Sequence, residues 1–186
     1  MTDFTVMLAA VQQGQANAAE ELLKAVYEEL RKLAAYRMAQ QPPGQTLQPT
    51  ALVHEAWLKL VGSNHAASFA DRGHFFAAAA EAMRHILIDR ARRKLTRRHG
   101  GDLERVDAAE FELVAPITDQ QMLDLHEALD HFSREHQVQA EVVKLRFFVG
   151  LTHEEIAELL AISVSTVKNY WNFSRAWLFR EMGEGM

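Results

Sequence analysis

LTHEEIAELLAISVSTVKNYWNFSRAWLFREM, residues 151–182, reads as two helices joined by a tight turn. Thr152 is a good N-cap, and Glu155 three residues later completes a capping box. Ile156, Leu159 and Leu160 give the first helix one apolar face, and Ala157 is small enough for a second helix to cross closely. Ala161-Ile162-Ser163 makes the turn, and Ser163 caps the second helix. Val164, Val167, Trp171 and Leu178 then recur at helical spacing and face inward. Ser165, Lys168, Asn169 and Asn172 form a second stripe that is polar and contains no acid. That is the layout of a helix-turn-helix whose second helix enters a major groove; an ordinary hairpin in an all-α core is the plainer reading.

The 186 residues suffice for one large or two small domains, and 48% hydrophobic content is enough to build their cores. There is no cysteine, hence no disulfide framework, cysteine-based zinc site or thiol catalyst. No window approaches 18 uninterrupted apolar residues, so no membrane contact is expected. MTDFTVMLAAVQQGQ lacks a basic n-region and a long apolar run, which argues against a signal peptide and for a cytoplasmic location.

The net charge of -5 is unusual for a nucleic-acid binder, but the distribution matters more than the sum. Arg84, Arg90, Arg92, Arg93, Lys94, Arg97 and Arg98 lie close together with Asp89 as the only acid among them. The remainder of the chain is strongly acidic. Such a protein should bind DNA weakly alone and need a larger partner to hold it there.

Along the chain, residues 3–13 and 16–41 read as helices, the second ended by Gln41-Pro42-Pro43-Gly44. A third helix starts near Pro49 and stops at Gly62; residues 62–73 form a polar loop. A fourth runs from about His74 to Arg98 and carries the basic stripe. Residues 102–120 are acidic and poorly periodic, and read as a linker. Helices resume at 121–134 and 136–149 and lead into the helix-turn-helix. The expected fold is all-α: two small helical domains, 1–100 and 121–186, joined by an acidic linker at 101–120.

Three stretches resemble the extracytoplasmic-function (ECF) group of bacterial sigma factors, the promoter-reading subunits of RNA polymerase. LVHEAWLKLV at 52–61 is similar to the group's polymerase-binding helix; FFAAAAEAMRHILIDRARRKLTRR at 75–98 resembles its minus-ten helix; VVKLRFFVGLTHEEIAELLAISVSTVKNYW at 142–171 resembles its minus-35 reader. The resemblance implies core RNA polymerase and promoter DNA as partners, and no cofactor. Thr152, Ser163, Ser165, Thr166, Lys168, Asn169 and Arg175 would then serve the minus-35 element. Asn suits adenine and Lys suits guanine, while Arg175 and helix N-termini suit phosphates. His85, Asp89, Arg92, Arg93, Lys94, Arg97 and Arg98 would serve the minus-ten element, with Phe69 or His65 stacking on an unpaired base. For Phe69 a loop anchor is the competing reading. Polymerase would meet Val53, Glu55, Trp57 and Leu58, with Trp57 alternatively simply core.

The chain departs from the group's pattern at two places. The acidic D-A-E-D patch is replaced by Gln48-Pro49-Thr50-Ala51, and Thr50 stands where the middle acid would be. Phosphate there would restore about -1.5 to -2 charges at a helix N-terminus. Thr50 is therefore either an activating site for a Ser/Thr kinase, as in the group's kinase-linked branch, or only a helix N-cap. The group's usual Asn four residues before the Asp is His85. A zinc-bearing anti-sigma factor is not implied by any feature of the chain.

Two other classes compete. Catalysis is disfavoured: His126, His131 and His136 are spaced by five, which spreads them around a helix, and His54-Glu55 lacks the second His of a zinc helix. No phosphate loop or nucleophile elbow is present. A helix-turn-helix transcriptional regulator with a helical sensory domain and no sigma activity is the nearer rival; it would usually dimerise on a palindrome.

Overall fold

The computed structural model of the protein describes residues 4–18, 20–22, 24, 25, 27, 49–61, 69, 71–97 and 118–184. The expected helix over 28–41 and its Pro-Pro-Gly stop, most of the 62–73 loop with His65, the linker over 101–117 and Arg98 lie outside the described residues, as do the side chains of Thr50, Val61 and Arg97.

The fold is all-α, and no strand occurs among the described residues. Helix α1 (Phe4–Gln12) turns Met7 and Val11 toward the core. It stops at Gly14, whose φ of 68° suits a residue without a Cβ. Helical residues resume at Ala18, and Ala18 and Leu22 are buried. Helix α2 (Pro49–Val61) opens on proline, whose missing N–H costs nothing in a first turn. Leu52, Val53, Ala56, Trp57 and Leu60 repeat at helical spacing and are buried, while His54, Leu58 and Lys59 face out.

Helix α3 (Arg72–Arg97) is the axis of the molecule. It begins two residues before the expected His74 because Asp71 caps it: the His74 N–H donates to Asp71 Oδ1 at 2.8 Å. Phe75, Phe76, Ala79, Ala80, Met83 and Ile86 are buried. One side of α3 packs on α2 and another on the C-terminal helices.

Helix α4 (Asp119–Glu135) also starts early, two residues inside the expected linker. Thr118 and Gln121 form a reciprocal capping box, with Gln121 N–H donating to Thr118 Oγ1 at 3.1 Å and Thr118 N–H to Gln121 Oε1 at 2.8 Å. Met122, Leu125, Ala128, Leu129 and Phe132 line its inner face. His136 (φ -129°, ψ 59°) breaks the backbone before α5 (Gln137–Lys144).

The single helix expected over 136–149 does not continue regularly. Leu145–Val149 winds as a π-helix, closed by Gly150 at φ 94°. Phe147, Phe148, Val149 and Leu151 are all buried. Gly150 N–H and Leu151 N–H both donate to the Leu145 carbonyl, and Arg146 Nη1 holds the Leu151 carbonyl at 2.7 Å. Helices α6 (His153–Leu160) and α7 (Val164–Glu184) complete the chain. One continuous apolar cluster takes residues from α2 and α3 as well as from α4 to α7.

Candidate nucleic-acid interface

The α6–α7 pair is built as its residues require. Thr152 Oγ1 accepts from Glu155 N–H at 3.2 Å, and Glu155 Oε2 accepts from Thr152 N–H at 2.7 Å. At the other end Ala161 adopts the left-handed conformation (φ 52°, ψ 42°). Ile162 N–H then reaches the Ala157 carbonyl at 3.0 Å and Ala161 N–H the Glu158 carbonyl at 3.3 Å, the paired bonds of a Schellman turn. Ser163 Oγ accepts from Thr166 N–H at 3.0 Å and starts α7.

Helix α7 divides into two faces. Val167, Trp171, Ser174 and Leu178 are buried, and the Ser174 hydroxyl is satisfied by the Tyr170 carbonyl at 2.7 Å. Ser165, Lys168, Asn169 and Asn172 are exposed along the opposite side. The structure thereby separates the expected minus-35 set. Thr152, Ser163 and Thr166 are engaged in helix caps, the Ser163 and Thr166 hydroxyls lying 2.8 Å apart. Ser165, Lys168 and Asn169 present themselves to solvent, and Arg175 is half-buried. The exposed helix surface is cationic and amide-bearing, the chemistry that reads base edges and phosphates.

His153 sits half-buried at the start of α6, 6.4 Å from the Trp171 ring, with Nε2 buried and without a hydrogen-bond partner. Burial, and then the charge of Arg146, push its imidazole below the ordinary value.

The basic run on α3 does not form one face. His85, Asp89, Arg92, Arg93 and Thr96 are exposed at i, i+4, i+7, i+8 and i+11, which places them on one side of the helix. Arg93 Nε donates to the Asp89 carbonyl at 3.1 Å, and His85 Nε2 lies 3.1 Å from Glu81 Oε1. The other cations turn elsewhere. Arg90 pairs with Glu55 of α2, and Lys94 lies 3.6 Å from Asp119 of α4. Arg84, counted with the stripe in the sequence, is 3% exposed and reaches Asp130 and His126 of α4. Thr96 joins the exposed face without having been expected there; its signal is the helical register from His85 and Arg92.

Phe69 is 5% exposed, its ring edge-on to Phe75 at 5.3 Å and to His74 at 5.6 Å. It anchors the loop to α3 in this conformation, and a base could stack on it only after the ring left that pocket. Of the expected polymerase set, Val53 and Trp57 are core side chains here, because they share the inner face of α2. Leu58 is 55% exposed and Glu55 partly so, and these two reach the surface. No group of three His, Cys, Asp or Glu that could hold a metal occurs among the described residues, and none of their helices is long and apolar enough to cross a membrane.

A family model described as ECF sigma factor matches residues 1–184. The chain belongs to the ECF sigma factor family. No curated protein matches its sequence. Family membership makes this chain an alternative sigma factor that directs transcription.

Proposed function

We propose that this ECF sigma factor binds core RNA polymerase through the outer face of α2 and reads a promoter with two surfaces. Ser165, Lys168, Asn169 and Asn172 on α7, supported by Arg175, face the minus-35 element. His85, Asp89, Arg92, Arg93 and Thr96 on α3, extended by Arg97 and Arg98, face the minus-ten element, while Lys94 is turned toward Asp119. Residues 1–100 and 121–186 act as separate functional units, with 101–120 as their tether, and α6–α7 is the helix-turn-helix of the second. The single observation that carries this reading is the presence of two exposed polar helix faces on a chain matched to the family over residues 1–184.

Thr50 is the proposed point of control. It lies in the first turn of α2, where no acidic residue is found. A Ser/Thr kinase adding phosphate there would place an anion where the helix dipole favours one, beside the surface offered by Glu55 and Leu58. Core polymerase binding by the parent, Thr50→Glu and Thr50→Ala tests this. The glutamate variant should bind more tightly than the other two; equal binding by all three contradicts the phosphorylation reading, and absence of binding by all three contradicts the polymerase reading.

A further inference from the structure

The exposed face of α3 changes its chemistry along its length. Arg92 and Arg93 supply cations toward its C-terminal end, and Thr96 follows them. His85 and Asp89 stand before them, about 10 and 5 Å back from Arg92 at ~1.5 Å of rise per residue. The Asp89 carboxylate is half exposed, 4.0 Å from Lys59 Nζ of α2. A DNA backbone is drawn to the cationic end. A carboxylate beside a phosphate is repelled, so the end that carries His85 and Asp89 is left for base edges.

His85 is held so that it offers one particular group. Its side chain is 53% exposed, and its Nε2 lies 3.1 Å from Glu81 Oε1. The same oxygen accepts from Arg84 Nη1 at 2.9 Å, and Lys144 Nζ of α5 lies 3.3 Å from Glu81 Oε2. A carboxylate held between two cations has no proton to give. The neutral His85 ring therefore keeps its proton on Nε2, facing Glu81, and carries its lone pair on Nδ1. The His126 ring of α4 packs across it, with centroids 6.4 Å apart and planes at 72°. Among the described residues Nδ1 has no partner.

Two acceptors, His85 Nδ1 and the Asp89 carboxylate, are thus offered one helical turn apart on one side of α3. On the major-groove edge cytosine presents its N4 amino group and adenine its N6 amino group, whereas guanine O6 and thymine O4 only accept. An acceptor set against an acceptor leaves both without the bonds that water gave them. The pair therefore suits amino-bearing bases and rejects the other two.

We propose that His85, with Asp89 beside it, is a specificity-determining residue of the minus-ten surface, selecting cytosine or adenine through the exocyclic amino group while Arg92 and Arg93 hold the backbone. The assignment rests on the promoter reading given above and names the base class that this part of the surface takes.

Holoenzyme reconstituted from core polymerase and the full-length chain, given promoters randomised one position at a time across the minus-ten element, tests it. The parent should favour cytosine or adenine over guanine and thymine by about tenfold at one position. His85→Ala should flatten that preference to about twofold or less and leave the other positions alone. His85→Arg exchanges the acceptor for a fork of donors and should turn the same position toward guanine. Replacing the selected base by its analogue without the amino group should cost the parent about tenfold and His85→Ala little. Base preferences unchanged in both variants overturn the assignment. So does a lower thermal midpoint of His85→Ala with its preferences intact, which would make His85 only a brace for Glu81. A parental preference for guanine or thymine at the position that His85→Ala flattens overturns it as well. These three outcomes leave the promoter reading standing; initiation at no defined site by the parent contradicts that reading and the base assignment with it.

Discussion

The buried guanidinium of Arg84 on α3 donates a hydrogen bond to the carboxylate of Asp130 on α4, forty-six residues away. Through it, the helix that carries one proposed DNA face is fixed to the helices that carry the other. Arg84 holds Asp130 below the usual carboxylate range although burial pulls in the opposite direction. The same guanidinium contributes, after burial, to lowering His126 below 6.5.

The fold should therefore weaken in mild acid. His126 binds a proton less readily in the folded chain than in the unfolded one, so the unfolded form holds more protons as the pH drops below about 6.5. The stabilisation is complete above that pH and is lost as the pH falls through the lowered value. Asp130 acts in the same direction, but only below about 4. The other titratable and charged groups acting on His126 are His85 and Arg92 of α3, with Lys144 of α5 acting on its neighbour Asp130. The thermal unfolding midpoint should decline between pH 7.5 and 5.5 in the parent and less in His126→Gln. His153 shares the sign of the shift, so His153→Gln should remove a further part of the decline.

Ala161→Gly should stabilise the protein by about 1 kcal/mol, because an L-residue in the left-handed region is strained by roughly that amount. Thermal unfolding checks this; a lower midpoint would contradict the assigned turn. Thr152→Ala should lower stability by about 1 kcal/mol through loss of the capping box.

Phe69→Ala should cost about 3 kcal/mol or more, as expected for emptying a buried aromatic site. Urea unfolding measures it. A negligible stability loss accompanied by lost promoter melting would instead assign Phe69 to an unpaired base.

The two DNA faces should respond differently to substitution. Arg92→Ala and Arg93→Ala should each reduce the slope of log affinity against log salt by about one, with little change in sequence preference. Asn169→Ala should cost about 1–3 kcal/mol and relax discrimination at one base position. Binding titrations on promoter and scrambled duplexes at several salt concentrations separate these outcomes.

Much of the architecture is legible in the sequence because it depends on local rules. The capping box of α6, the Pro49 start and the inward stripe of α7 follow from residue type and spacing. The early start of α4 escapes such a reading because Thr118-x-x-Gln121 sits within an acidic, poorly periodic stretch. The π-helix escapes it because LRFFV carries no local mark distinguishing it from an ordinary apolar turn; its need arises from what surrounds it. Arg84 groups with the basic run by charge, although it stands among Ala82, Met83, Ile86 and Ile88, an apolar setting that marks it apart from Arg92 and Arg93. Its partners on α4 lie beyond residue 120, and pairings at that separation have no periodicity to betray them. The division of the exposed set from the paired set on α3 likewise depends on which helices close over it.

The most direct test of the central claim is initiation in vitro with purified core RNA polymerase, this chain and no other sigma factor, on a library of genomic fragments. Run-off products starting at a defined set of sites, lost when Lys168 and Asn169 or Arg92 and Arg93 are replaced by alanine, are the predicted result. DNA binding without any initiation, by the parent and by Thr50→Glu alike, would contradict it.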